Sequence, residues 1–170
     1  LVLAGLGFIW LLLVLWADEF VQLEIMGYSF FGEEFQRSIS IVPWISLGYL
    51  FYGFYVLQTP GIFLKDRPGI AAWTRLLGAA SNIILCFILI PQYGAIGAAI
   101  ATCLAFFFML IMMYWWNTKL YPIQLEWTKL SFIAIFLLSG FLISNGLNDD
   151  LITNLLITAL YPIGLIRLGI

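Results

Sequence analysis

Six runs of apolar residues, each close to the length a helix needs to cross a bilayer, follow one another with only short polar breaks between them. They read Leu1 to Trp16, Ile39 to Leu64, Ile70 to Ile90, Ala95 to Trp116, Leu130 to Leu147 and Leu151 to Ile170. Only a helix, which satisfies its own backbone, or a closed barrel can cross hydrocarbon; runs of about 20 residues favour helices. With 64% of the residues hydrophobic and 9% charged, little polar surface remains to solvate a water-soluble domain. The expected fold class is therefore all-α, a polytopic membrane helix bundle of about six transmembrane helices. The longest break, Asp18 to Ser38, mixes acidic residues with Phe20, Ile25, Met26, Phe30 and Phe31 and reads as an amphipathic segment at the interface. Because the chain opens on Leu1 in the middle of an apolar run, it is expected to be the C-terminal piece of a longer protein, one helical bundle over residues 1–170. The alternative, a signal peptide, lacks a basic start and a small-residue cleavage site.

Lys and Arg residues mark the cytoplasmic side of such a chain. Across six spans, Lys65, Arg67, Arg75, Lys119, Lys129 and Arg167 fall to one side and only Arg37 to the other. Both ends of the chain are then expected in the cytoplasm. Asp18, Glu19, Glu24, Glu33, Glu34, Asp149 and Asp150 fall on the outer side, so the acidic balance gives no reason to expect a nucleic-acid partner. Trp73, Trp115, Trp116, Tyr121 and Trp127 near one face, with Trp16, Trp44 and Tyr93 near the other, suit aromatic belts.

The segment Asn82 to Thr102, NIILCFILIPQYGAIGAAIAT, joins two of the runs. Pro91 has no N–H to donate and is expected to end the first helix, and Gly94 can take the positive φ of a tight reversal. Beyond it, Gly94 and Ala98, Gly97 and Ala101, and Ala98 and Thr102 stand four apart, leaving one helix face nearly bare for close packing. This ordered string resembles the Asn…Leu-Ile-Pro-x-Tyr-Gly-x-x-Gly-Ala-Ala-x-Ala-Thr pattern in the C-terminal half of polysaccharide flippases. These are the Wzx-like exporters of lipid-linked sugars, within the multidrug/oligosaccharidyl-lipid/polysaccharide exporter superfamily. A weaker likeness lies at Phe31, Gly32, Glu33, Glu34 and Phe35, similar to that family's Phe-Gly-x-x-Phe segment.

The resemblance implies a parent of twelve to fourteen helices in two bundles, with a lipid-linked sugar diphosphate held between them by alternating access. It also implies membrane lipids as neighbours, polysaccharide polymerase or glycosyltransferase partners, and a place in cell-envelope assembly such as lipopolysaccharide O-antigen export. The last two runs, from Leu130 onward, are not supported by the signature.

Polar groups inside spans are costly and tend to face a bundle interior or a water-filled cavity. Arg75 lies about two turns into the third run, roughly 10 Å along the axis at 1.5 Å per residue. Two readings stand open for it: binding the substrate diphosphate through its planar fork, or snorkelling to headgroups as an anchor. Lys65 and Arg67, flanking Asp66, read as a topology signal and headgroup contact, with direct substrate contact as the alternative. Tyr49, Tyr52, Tyr55 and Gln58 fall at i, i+3, i+6 and i+9, a polar stripe that either lines a cavity or packs with satisfied hydroxyls. Pro60 and Gly61 either break the long second run or mark its end near Thr59. Pro162 is expected to kink the last helix, and Asn82 to bond to a neighbouring helix.

Enzymatic chemistry is hard to place. The chain has no His, its two cysteines, Cys86 and Cys103, sit at different depths in apolar helices, and no catalytic dyad, metal set or phosphate loop assembles. A transporter without cofactor is expected, with substrate-binding candidates Arg75, Tyr52, Tyr55, Gln58, Lys65 and Arg67. The alternatives are a drug exporter of the same superfamily and a membrane-embedded enzyme of polysaccharide assembly. No carboxylate is expected deep in a span, so ion coupling is not visible.

Overall fold

The computed structural model describes residues 2–21, 24–25, 28–29, 39–120, 127–146 and 151–167. Among them the fold is an all-α membrane helix bundle. In chain order it runs α1 (Val2–Leu15), α2 (Ala17–Val21), a short antiparallel ladder of β1 (Glu24–Ile25) and β2 (Tyr28–Ser29), and a 3-10 turn at Ile39–Ile41. There follow α3 (Val42–Phe63), α4 (Pro68–Leu120), α5 (Trp127–Gly146) and α6 (Leu151–Arg167). Within the segment Asp18 to Ser38, expected at the interface, the described residues form the end of α2 and the ladder. Phe30, Phe31, Gly32, Glu33, Glu34, Phe35, Arg37, Tyr121, Asp149 and Asp150 lie outside the described residues.

Among the described residues, two helices are long and apolar enough to cross a membrane, Ile39–Phe63 and Pro68–Leu120. Burial separates them from the core helices of a soluble protein, because only 17% and 39% of their most apolar stretches are buried. Phe87, at 79% exposure, with Ile83, Ile84 and Ile88, presents bare hydrocarbon outward, a surface that lipid solvates at no cost and water does not.

The chain divides into two compact units. The first comprises Leu1–Pro43 with Leu125–Ile170. In it α1 is apolar on every side, so no periodicity announces its inner face; small residues and partners select it. Gly7 lets the Tyr161 hydroxyl and Leu137 approach, and that hydroxyl donates 2.9 Å to the Ala4 carbonyl. Phe8 stacks on the Tyr161 ring at 5.6 Å and Phe136 meets it edge-on at 5.3 Å. Gly140 of α5 admits Ile157 and Leu11. Near the far end of α1, buried Asn154 donates to the Leu15 carbonyl (3.1 Å) and to Glu19 Oε1 (3.2 Å). Glu19 lies half-buried in α2, where it accepts this bond from α6.

The second unit comprises Trp44–Gln124. Its α4 folds back on itself at Gly94, whose φ of 58° and ψ of −133° belong to a region open only to glycine. The expected stop at Pro91 is corrected: helical geometry runs past it. Proline's φ is itself helical, so one missing hydrogen bond does not reverse the chain, whereas a positive φ does. The reversal makes two antiparallel arms, residues 68–93 and 95–120. Gly97 sits against the Leu89 carbonyl, and Asn82 Nδ2 donates 3.4 Å to Thr102 Oγ1 across the arms, the interhelical bond expected of it.

Every fourth residue of the second arm is buried: Gly97, Ala101, Ala105, Met109, Met113 and Asn117. A step of four residues advances about 400° at 3.6 residues per turn, so the stripe drifts about 40° per step around the arm. It therefore meets the first arm near the turn and α3 at the far end. Its side chains also grow from glycine to methionine in that direction, and Gly78 of the first arm makes room for Met109. Where α3 crosses, Gly48 brings its backbone onto Cys103, and a Cβ there would lie 3.1 Å from the Cys103 Cα. Cys86 and Cys103 are both free.

Candidate functional site

The core of the second unit is Tyr55, Ile62, Ala71, Met109 and Met113, with Tyr52, Ile70, Phe106, Trp116 and Leu120 packed around it. α3 reaches this core without interruption. Pro60 lies inside the helix, exposed on its outer side, so the expected break or early end at Thr59 is corrected: α3 continues to Phe63. The lost Pro60 N–H bond falls on the outer face, while Thr59 Oγ1 donates 3.1 Å to the Tyr55 carbonyl within the helix. Pro162 likewise lies inside α6, which continues to Arg167.

The helix then stops in a Schellman motif. Arg67 N–H donates to the Ile62 carbonyl (3.3 Å) and Asp66 N–H to the Phe63 carbonyl (3.0 Å), with Asp66 at φ 52° in the left-handed position. This turn sets Lys65 and Arg67 in the connection before Pro68, both exposed.

Tyr52, Tyr55 and Arg75 are brought together. Arg75 is exposed, yet its Nε donates 3.1 Å to the Tyr55 hydroxyl, and its guanidinium carbon lies 5.9 Å from the Tyr55 ring centroid, within cation–π range. The Tyr55 hydroxyl in turn donates 3.5 Å to the Ala71 carbonyl, and Tyr55 is fully buried. Tyr52 stacks beside Tyr55 at 5.8 Å and against Phe106 at 5.0 Å. Tyr49, 60% exposed, meets the other side of the group through Phe106, at 5.8 Å. Holding Nε leaves both terminal nitrogens of Arg75 to other partners, and among the described residues no ion pair compensates its charge.

Gln58 follows Tyr55 by three residues on α3 and is buried like it. Its backbone carbonyl accepts 2.9 Å from Asn117 Nδ2 of the second arm, and both side chains are buried. Gln58 Oε1 and Asn117 Oδ1 have no donor among the described residues. Asn117 escaped the sequence reading; the one available signal was an amide following Trp115 and Trp116 at the end of an apolar run. Thr74 was missed too: it is fully buried and returns its hydroxyl 2.8 Å to the Ile70 carbonyl.

Fold and site together define a class: an apolar helix bundle of the membrane that carries an uncompensated arginine and tyrosine hydroxyls within its helices. Comparison with known proteins narrows it. Over 148 residues the chain is 30% identical to an uncharacterized membrane protein of Methanocaldococcus jannaschii, covering 82% of this chain and 28% of the relative. Over 112 residues it is 27% identical to a probable low-salt glycan biosynthesis flippase of Haloferax volcanii, covering 66% of this chain and 24% of the relative. The chain thus spans about a quarter of the length of these curated relatives. No family model matches the sequence, and no solved structure matches it. The likeness supports a flippase-like membrane family.

Proposed function

We propose that this chain forms part of a flippase that moves lipid-linked oligosaccharide or polysaccharide precursors across the cytoplasmic membrane by alternating access, with no chemistry on the substrate. The observation that carries the reading is the Arg75 guanidinium, placed about two helical turns from the start of α4 and held by a neutral hydroxyl rather than a carboxylate. A cation within a span is costly, though less so two turns from its end than at its centre, and the cost falls when an anion arrives. Tyr55 orients Nε and leaves the terminal nitrogens as a fork suited to a diphosphate. Tyr52 and Gln58 flank and brace that group, Lys65 and Arg67 meet the headgroup on entry, the sugar takes a hydrated vestibule, and the lipid tail stays in the membrane. In this reading the chain crosses the membrane six times, its basic loops and both its ends lie in the cytoplasm, and glycosyltransferases or a polymerase work before and after it. The flippase of Haloferax volcanii supports the substrate class.

The test is complementation of a flippase-deficient strain with the full-length gene, carrying Arg75→Ala or Arg75→Lys and with membrane levels checked by immunoblot. Arg75→Ala is expected to abolish surface polysaccharide at normal protein level, and Arg75→Lys to restore part of it. Full rescue by Arg75→Ala overturns the assignment.

A further inference from the structure

Between the start of the first arm of α4 and the end of the second, a groove of about 440 Å³ opens. Its walls are almost wholly apolar: Ile70, Trp73 and Leu77 on the first arm face Met112 and Trp116 on the second, with Thr74 at the base. Thr74 adds no free polar group, because its hydroxyl is spent on the Ile70 carbonyl. The groove is open at the side, since Trp73 is 65% and Leu77 40% exposed. Only one charged residue lines it, Arg67, and it does so at one end. From Arg67 to Leu77 the wall runs roughly 15 Å at 1.5 Å per residue.

A slot with a cation at one end and hydrocarbon along the rest is complementary to one shape of molecule, an anionic head on an alkyl tail. The Schellman turn fixes where the Arg67 backbone stands, and the Pro68 start of α4 follows at once, so the charge is held at the mouth. Among the described residues the Arg67 guanidinium has no hydrogen bond or ion pair. Trp73 and Trp116 flank the same end, where amphipathic rings sit at headgroup level. Arg75, eight residues on, does not line the groove; it is turned to Tyr55.

We infer that this groove is a resident site for a membrane lipid with an anionic phosphate headgroup, one tail lying between the arms of α4 and the phosphate on Arg67. The site lies apart from the Arg75 group but shares Arg67 with the entry step proposed above, and the lipid titration reads it without any glycan lipid.

The experiment is native mass spectrometry of the purified full-length protein, titrated with phosphatidylglycerol or phosphatidylcholine of identical acyl chains. Wild type is compared with Arg67→Gln, which removes the charge, Leu77→Trp, which fills the partly exposed wall, and Arg167→Gln as a charge control at the end of α6. The expected result is one tightly held phosphatidylglycerol that phosphatidylcholine does not replace. Arg67→Gln should weaken it about tenfold or more, the loss expected of one hydrogen bond to a charged group. Leu77→Trp should weaken it as well, and Arg167→Gln should leave it unchanged. Equal retention of the two lipids overturns the inference, as does equal loss in Arg67→Gln and Arg167→Gln. So does a wild-type dimer without bound lipid that Leu77→Trp splits, since a second copy would then fill the groove. Melting temperatures of all four proteins, matched in lipid-free detergent, separate lost binding from lost fold.

Discussion

The turn at Gly94 and the close approach at Gly97 fail for different reasons when a methyl group is added, and the difference can be measured. A Cβ on Gly97 would sit 2.6 Å from the Leu89 carbonyl carbon and 3.1 Å from the Ile90 nitrogen. Those are backbone atoms, which cannot rotate away as a side chain does, so the arms must separate by several tenths of an ångström. Every contact along the stripe from Ala101 to Met109 is then loosened. Overpacking of this kind costs about 1–3 kcal/mol. Gly94→Ala meets no atom within 4 Å, and its whole cost is torsional, about 1–3 kcal/mol for a residue forced into a glycine-only region. Gly5→Ala, in α1, meets nothing and has no positive φ, so it should be neutral or slightly stabilising through helix propensity. The assay is unfolding of the purified protein in mixed micelles with increasing SDS, followed by tryptophan fluorescence. The double variant Gly94→Ala/Gly97→Ala decides the mechanism: opening the arms to relieve the clash changes the turn, so the two costs should not add. If Gly97→Ala unfolds no more easily than Gly5→Ala, the two arms do not meet at the Leu89 carbonyl and the hairpin geometry is refuted.

Three further outcomes follow from the second unit. Tyr55→Phe keeps the ring in the core but removes the acceptor for Arg75 Nε; stability should fall by about 0.5–1.5 kcal/mol, and polysaccharide export in the complementation assay should fall further than that loss explains. Asn117→Leu deletes one bond and also one buried acceptor without a donor, so SDS unfolding should shift by less than about 1 kcal/mol; a large destabilisation would mean that Asn117 Oδ1 has a partner. Asp66→Gly should preserve the Schellman turn, whereas Asp66→Val should destabilise by about 1–2 kcal/mol through its left-handed backbone; equal unfolding of the two would deny that the residue holds φ 52°.

The helices were legible because burial in lipid selects for length and apolarity, both of which are written directly in the runs. The position of the hairpin turn was legible from Gly94, though Pro91 drew attention three residues early. Partner choice was much less so. α1 is apolar all round, and nothing in its sequence says that Ala4 offers its carbonyl to Tyr161. The tyrosine stripe is regular in sequence, but the helix turns Tyr49 outward and Tyr55 into the core. Arg75 could be named from its depth, whereas its bond to Tyr55 depends on where α3 and the first arm cross. Asn117 and the groove at Arg67 arise from a drift in packing along the second arm, which becomes visible only once the arms are placed.

The first unit is assembled from two segments separated by the whole of the second unit, and this fixes an order of events during synthesis. Tyr161 and the Ala4 carbonyl it reaches are 157 residues apart, and at 5–20 residues per second the ribosome needs about 8–30 s to produce the second after the first. The second unit, by contrast, is one uninterrupted stretch and can close as soon as it is made. Until α5 emerges α1 lacks both its partners, and until α6 follows the Leu15 carbonyl still lacks the amide of Asn154. Biogenesis of this protein therefore includes a waiting helix, sheltered by lipid or by the insertion machinery until α6 arrives.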